Sequence, residues 1–523
     1  MKKVGGSILG AAGLIAVLTL LSRVMGLVRK LAQSWAMSDG AVATAYDTAN
    51  TVPNVLFEVA AGGALAGAVI PLLSRFLAKK MQAEASQTAS ALLTWILVIA
   101  LPIAGIVALG ADAIVGLLFS DAADPAIVSL AGTFLRMFAL QVPLYGMSVV
   151  LTGILQAHKK FFLPAVSPLL SSIVVTGAFA WYALSVGPEM PPEELTTQAV
   201  YVIGWGTTLG VVAFSLPQLI PAARLLRLRP TLSFPPGVAR HAMRLVGAGL
   251  GALVAQQVAI VAIMYTANAL GGVGTYAAYN YAYAIFMVPY AVLAVPIATA
   301  IFPRISEAAG LEDRAGLAGL VSRSTRLVLA AGIICVALLV ALAEPAAIVL
   351  EAGRTIEGLA IGMRAMAVGL VGFSLLYHVA RVLYAVDAGR RVITTNTLGW
   401  GTVCVGLAVA HVAGVEGRVP TLVAIGVALS VGLSVGALAA VLAVRTEVGD
   451  DAVAGFARIT GLLSLAMVAF GAIGWLVVNL VLDWLGRGMI GAFAAAIVGA
   501  IVIIGGGVAA LWAIDRKALR AVR

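Results

Sequence analysis

The sequence predicts an all-α polytopic membrane protein of about fourteen transmembrane helices: two parallel six-helix lobes, then two C-terminal helices, with both termini cytoplasmic. Three observations carry that prediction. Of 523 residues, 62% are hydrophobic and only 11% charged, where a soluble domain averages about 25% charged, so the chain cannot face water on all sides. Apolar runs able to cross the ~30 Å hydrocarbon core recur along the whole length. The basic residues between those runs alternate in density, as a positive-inside bias requires. A mean hydropathy of +1.06 leaves no stretch for a large soluble domain. The formal charge of +10 therefore reads as attraction to anionic lipid headgroups, not to nucleic acid. Cys335 and Cys404 lie inside apolar runs, so neither a disulfide framework nor a metal site is expected.

Taken in order, the opening MKKVGGSILGAAGLIAVLTLL has the charged start and apolar run of a signal peptide. No small-residue cleavage site follows, and the run continues through Ser22 and Arg23 toward Met37, so it reads as a retained first helix, 7–37. Helices at 42–78, 88–118, 127–157, 163–186 and 197–223 complete the N-terminal lobe, 1–227. The C-terminal lobe, 238–445, holds 238–269, 274–304, 317–343, 356–386, 391–413 and 419–444. Helices 455–482 and 488–514 and a cytoplasmic tail make up 453–523. Several runs exceed the span a bilayer needs, which implies tilt or protrusion.

The loops test this count. With the N-terminus inside, 24 of the 33 lysines and arginines fall on the cytoplasmic side, among them Lys2 and Lys3, Arg75, Lys79 and Lys80, Lys159 and Lys160, Arg240 and Arg244, Arg390 and Arg391, and Arg516, Lys517, Arg520 and Arg523. The outside loops hold Arg354, Arg418 and Arg487 beside Asp121, Asp124, Glu189, Glu193 and Glu194. A miscount by one helix scrambles the alternation. Six cations remain within spans: Arg23, Arg29, Lys30, Arg136, Arg364 and Arg381.

An internal echo supports the two lobes. VPNVLFEVAAGGALAGAVIPLLSRF (52–76) is similar to VPYAVLAVPIATAIFPRISEA (288–308), with Pro53 and Pro289 leading and Pro71 and Pro303 closing. LQAHKKF (155–161) pairs with LYAVDAGRR (383–391) at a similar offset. An even number of helices per repeat makes the repeats parallel.

No phosphate-loop, HExxH or clustered Cys/His signature is present, and the histidines, His158, His241, His378 and His411, are scattered. A transporter, not an enzyme, is expected, with no catalytic residue, metal or cofactor. In helix 1, Arg23 and Lys30 share a face, while Arg29 points about 120° away. Cations in lipid are expensive, so these three belong in protein interior or a watered cavity; the alternative for Arg29 and Lys30 is snorkelling to an interface. Helix 2 offers a polar stripe, Asp47, Asn50, Asn54 and Glu58, joined by Thr51, with Pro53 freeing a carbonyl where a gate needs to bend. The alternative is a structural ion pair with helix 1. In the second half, Tyr276, Tyr279, Asn280 and Tyr283 follow helical spacing, as an interfacial belt or a cavity wall that stacks on sugars. Gln256, Gln257 and Asn268 are further polar candidates, and Arg364 and Arg381 offer cations in helix 10.

Several of these motifs converge. SRVMGLVRK (22–30), NTVPNVLFE (50–58) followed by AGGALAGAVIPLLSRF (61–76), HKKFFLPAVSPLL (158–170), VPYAVLAVPIATAIFPRIS (288–306) and LYAVDAGRR (383–391) resemble the MurJ/MviN lipid II flippases of the MOP exporter superfamily. The resemblance covers both lobes. It implies a multi-pass protein of the bacterial plasma membrane that moves undecaprenyl-diphosphate-linked peptidoglycan precursor, lipid II, outward by alternating access. It also implies an arginine-rich cavity for the diphosphate and a groove on helices 13 and 14 for the polyprenyl tail. Motif matching carries diphosphate and headgroup binding to Arg23, Arg29, Lys30 and Asn54. Where many family members have basic residues after the PN motif, this chain has Phe57 and Glu58. It has Gly62 and Gly63 for a Glu-Gly pair, and Tyr283–Ala284 for an Asp-Arg pair on helix 8. A second-lobe cation is thus absent from its usual place, with Arg364 and Arg381 as substitutes.

The rivals are a flippase for another polyprenyl-diphosphate glycan, a cation-coupled multidrug exporter using Asp47 and Glu58, and, disfavoured by the short loops, a membrane glycosyltransferase. Coupling to a monovalent cation or to the membrane potential is left open. The expected partners are lipid II or a related glycan lipid, membrane lipids and cell-wall synthesis proteins.

Overall fold

The computed structural model describes residues 2–59, 66–188, 190–311 and 313–516, with side chains from Val17 onward except 66–68 and 240–252. Gly62, Gly63, Glu189, Lys517, Arg520 and Arg523 lie outside the described residues, as do the side chains of Lys2, Lys3, Arg240, His241 and Arg244. Among the described residues every regular element is helical. The chain forms two compact units, Met1–Gln257 and Val258–Arg523.

The first unit contains α1 (Lys2–Met37), α2 (Ala41–Phe57), α3 (Ala66–Ala78), α4 (Gln82–Leu109), α5 (Ala111–Gly116), α6 (Pro125–Phe138), α7 (Gln141–Ala157), α8 (Phe162–Ser185), α9 (Thr197–Ser215) and α10 (Leu219–Leu225). The boundary falls within α11 (Val238–Leu270). The second unit continues with α12 (Thr275–Pro289), α13 (Val295–Gly310), α14 (Arg314–Glu351), α15 (Leu359–Met366), α16 (Gly369–Ala385), α17 (Gly389–Val412), α18 (Arg418–Val448), α19 (Phe456–Leu485) and α20 (Met489–Ile514). Among the described residues, 11 helical stretches are long and apolar enough to span a membrane, and 12 if α15 and α16 count as one. The expected helices 7–37 and 42–78 each include residues whose side chains lie outside that description.

Several runs that read as single helices are broken, and the breaks have local causes. Pro143 cannot donate to Ala139, and the chain turns between α6 and α7 at that carbonyl. A π-helical turn, Tyr290–Ala294, follows Pro289 between α12 and α13. In the first unit a π turn likewise begins at Glu58, five residues after Pro53. The proline echo in the sequence thus marks an irregular second span in each unit.

The 47° bend between α15 and α16 has no proline. Here the Ser430 hydroxyl of α18 donates to Ala365 O at 2.8 Å and accepts from Gly369 N at 3.2 Å. Those are the carbonyl and amide an uninterrupted helix pairs with each other, so one side chain inserts into the ladder and keeps both groups satisfied inside the bilayer.

The first unit is cored by Val69 and Leu73 of α3, Leu92 and Ile96 of α4, and Leu151 and Ile154 of α7. In the second, α14 is central: Val328, Ile334 and Leu338 pack with Leu463 and Met467 of α19 and Ile503 of α20. Glycines permit that approach, Gly474 lying against Ile503 and Gly507 against Ile334. Arg326 pairs with Asp515 at 3.3 Å, and Ser322 donates to Ala454 O at 3.0 Å, fastening both ends of the last helix pair to α14.

Candidate functional site

The first unit places its polar residues along α1 and α2, which are joined by a three-residue turn at Ser38–Gly40. The two helices meet through a buried triangle. Lys30 Nζ donates to Gln33 Oε1 at 2.9 Å, Gln33 Nε2 donates to Asp47 Oδ1 at 2.9 Å, and Lys30 Nζ stands 3.7 Å from that same oxygen. The Asp47 side chain is 4% exposed and that of Lys30 24%. The carboxylate is therefore inside the protein while the ammonium keeps one side open. Asp47 Oδ2 has no hydrogen-bond partner among the described residues.

Lys30 and Gln33 also line a polar cavity of about 70 Å³ with Arg29, Asn50, Asn54, Tyr46, Tyr145, Ser171 and Thr207. A void of this size holds a few waters and not a sugar headgroup. Its walls are stiff. Tyr46 packs edge-on against Phe134, Phe138 and Phe179 and shares a 3.0 Å hydrogen bond with Thr207. Tyr145 stacks on Phe57 at 4.4 Å, at the end of α2 where the helix becomes irregular. Arg29 has no ion pair or hydrogen bond among the described residues, so its donors are available to an anion. Pro53 is buried and Glu58 is exposed. The polar stripe of helix 2 is thus divided, Asn50 and Asn54 lining the cavity, Asp47 behind Lys30, and Glu58 outside.

Arg23 stands apart from this cluster. It is exposed and lines a separate, open pocket of about 410 Å³ with Thr19, Ser22, Gln156, Phe161, Pro164, Ala165 and Pro168. Ser22 ties the middle of α1 to α8 by donating to Ala165 O at 3.1 Å. Six residues separate Arg23 from Arg29, about 9 Å along the helix at 1.5 Å per residue. The expectation of one face shared by Arg23 and Lys30 thus resolves into two separate cavities.

The second-unit candidates are engaged within their own unit. Arg364 pairs with Glu344 at 3.5 Å and lies in an apolar groove of about 660 Å³ between α14, α16 and α19. Glu344 is shared with Arg487 at 3.6 Å. Arg381 donates to the Tyr377 hydroxyl at 2.5 Å and lies over the Tyr377 and Phe302 rings. Tyr276, Tyr279, Tyr283 and Phe286 form a stacked column, with centroids 5.5 to 6.0 Å apart, down α12. Tyr276 and Tyr279 are buried, Tyr283 and Asn280 half-buried, so this column is mostly core packing and not an interfacial belt. Gln256 is half-buried and Gln257 buried on α11. Arg136 of α6 is paired with Asp112 of α5, both exposed.

Gln33, Tyr46 and Tyr145 were not singled out from the sequence. Gln33 carried a usable signal, since it lies one helical turn beyond Lys30 in an otherwise apolar run.

The family model described as Lipid II flippase MurJ matches residues 34–499. The chain is 31% identical over 235 residues to a probable lipid II flippase MurJ of Synechocystis sp., covering 44% of this chain and 43% of that protein. It is 28% identical over 302 residues to the lipid II flippase MurJ of Burkholderia cenocepacia, covering 55% of each. These alignments thus span about half the length of the curated relatives. A solved lipid II flippase MurJ in an inward closed conformation superposes with a TM-score of 0.73 at 17% identity, over 97% of this chain and 100% of that one. An inward-facing MATE-family multidrug transporter of the MOP superfamily superposes with a TM-score of 0.66 at 17% identity, over 82% and 98%. At that identity the structural likeness speaks to fold alone.

Proposed function

This chain belongs to the lipid II flippase MurJ family, and from that premise we propose that it exports lipid II, or a closely related polyprenyl-diphosphate glycan, across the bacterial plasma membrane by alternating access. In this reading fourteen helices cross the bilayer with both termini cytoplasmic, and the lobes 1–227 and 238–445 carry the transport cycle, with 453–523 appended. The observation that carries it is the small polar cavity in which Arg29 and Lys30 face Asn50 and Asn54. Guanidinium and ammonium donors there meet the oxygens of a diphosphate, the guanidinium bidentately, and the amides offer donors to the sugar or bridging oxygens. A cavity of about 70 Å³ is the collapsed state of such a site, so the helices part to admit the headgroup. Arg23, about two turns away along α1, is the first cation the lipid phosphate meets, in the open pocket beside the turn after α7.

Export of the lipid involves no covalent step, so differential affinity of the two states for the diphosphate shapes the cycle while the net driving force comes from a gradient, through a cation or the membrane potential acting on the cavity charges. The test is complementation of a cell depleted of its lipid II flippase, scored by lipid II accessibility at the outer face. Restored accessibility that Arg29→Ala abolishes supports the reading. Growth without lipid II appearing outside overturns it.

A further inference from the structure

Lys30 sits between two claims on its charge. On one side is the cavity it lines with Arg29; on the other is Asp47, 3.7 Å away and held to it by the Gln33 amide. We infer that Asp47 is an internal counter-anion that an incoming diphosphate displaces from Lys30 and that returns to expel it. The inference rests on the proposed diphosphate chemistry of this cavity and assigns a positioning residue behind it, one that touches no substrate.

Three features argue for exchange over a simple strut. Asp47 uses one carboxylate oxygen for both Gln33 and Lys30, while Oδ2 has no partner among the described residues. A buried carboxylate satisfied on one oxygen forms a looser lock than a bidentate one. Lys30 is a flexible single-point donor, more able than arginine to swing between two anions. Gln33 contacts both charges, so it holds the carboxylate in place when the ammonium turns toward the cavity. With Asp47 engaged, Arg29 and Lys30 present one uncompensated charge; once it is released they present two, matching the two negative charges of a diphosphate diester. The carboxylate thereby weakens binding and speeds release, which a carrier needs and a receptor does not.

The test uses the full chain in nanodiscs, with lipid II, a diphosphate diester, as probe and undecaprenyl phosphate as control, reading equilibrium affinity and dissociation rate. Asp47→Asn keeps the shape and the Gln33 contact and removes the charge. It is expected to bind the diphosphate about fivefold tighter, the effect of one unit charge near 4 Å in a water-like medium, and to release it correspondingly more slowly. In the Lys30→Gln background the same change is expected to shift affinity less than about twofold, since Lys30 carries the coupling. Gln33→Met, which keeps both charges and cuts the bridge, is expected to tighten binding as well and serves if Asp47→Asn does not fold. A strut predicts the opposite: each substitution weakens binding and turnover together. Wild-type binding with Asp47→Asn or Gln33→Met equal to it or weaker overturns the exchange and leaves the function reading standing. A wild type that binds neither probe overturns the function reading itself, and the exchange with it.

Discussion

Arg29→Ala separates recognition from scaffolding more cleanly than any other change in the site. Lys30 is tied to Gln33 and Asp47, so its removal strands a carboxylate that is 4% exposed. Arg29 lines the same cavity with no ion pair or hydrogen bond among the described residues, so its removal strands nothing. Its stem contributes some packing, and the fold should lose no more than about 1 kcal/mol. Binding is another matter. A bidentate guanidinium makes two charge-assisted hydrogen bonds to a diphosphate, each about 1.5–3 kcal/mol. Taking the lower figure for both gives roughly 3 kcal/mol, about a hundredfold in affinity. Arg29→Lys should restore part of that loss by charge while lacking the fork. The assay pairs thermal unfolding in detergent with binding of undecaprenyl diphosphate and outer-face lipid II accessibility in complemented cells. If Arg29→Ala bound and exported normally with its fold intact, this cavity would not be the anion site. If it lost as much thermal stability as Lys30→Ala, Arg29 would be part of the scaffold and the argument from its free donors would fail.

The companion substitution, Lys30→Ala, is expected to destabilise the fold by about 3 kcal/mol by leaving the buried Asp47 charge without a counter-charge, with most of that recovered in Lys30→Ala/Asp47→Asn; thermal melts of the wild type, the two single variants and the double variant check it. Ser430→Ala is expected to cost about 1–3 kcal/mol, because the Ala365 carbonyl and Gly369 amide at the α15–α16 bend lose their shared partner, and a melt unchanged within error refutes the inserted-hydroxyl account. Gly372→Val is expected to part α16 from α18, since a Cβ there meets the Leu433 backbone; detergent half-life should fall sharply, overpacking costing about 1–3 kcal/mol or more. Single cysteines near Lys159 should be shielded from an impermeant thiol reagent in intact cells while those near Glu193 and Glu416 react, and efficient labelling at 159 would sink the proposed sidedness.

The helices were legible because a bilayer imposes a simple rule on composition: each span is a long apolar run, and the residues that end it are polar. What the runs hid were their interruptions. The α6–α7 turn follows from Pro143 and was in principle readable; the α15–α16 bend was not, because its cause is a serine 61 residues further on. Periodicity reports a residue's neighbours along the helix, whereas a kink held by another helix is a tertiary event. The tyrosines of α12 show the same limit. Their spacing was correct for a stripe, yet spacing does not say what the stripe faces, and the structure turns Tyr276 and Tyr279 into the protein as a stacked column.

At the site, the sequence located the charges and not their pairing. Six cations within apolar runs are conspicuous because each is costly in lipid, and among the described residues the structure pairs Lys30, Arg136 and Arg364 with carboxylates while Arg381 lies over aromatic rings. Arg23 and Arg29 are left with neither a carboxylate nor an aromatic ring among the described residues, and they line different cavities, their backbones about 9 Å apart along α1. In this arrangement of α1 each arginine faces its own pocket, so the two act in succession as the lipid advances or hold different parts of it. Arg23→Ala and Arg29→Ala should then fail at different steps, the first in capture from the cytoplasmic leaflet and the second in holding a captured headgroup. If the two variants proved indistinguishable in capture rate and in retention, the two-cavity division of α1 would have no functional meaning.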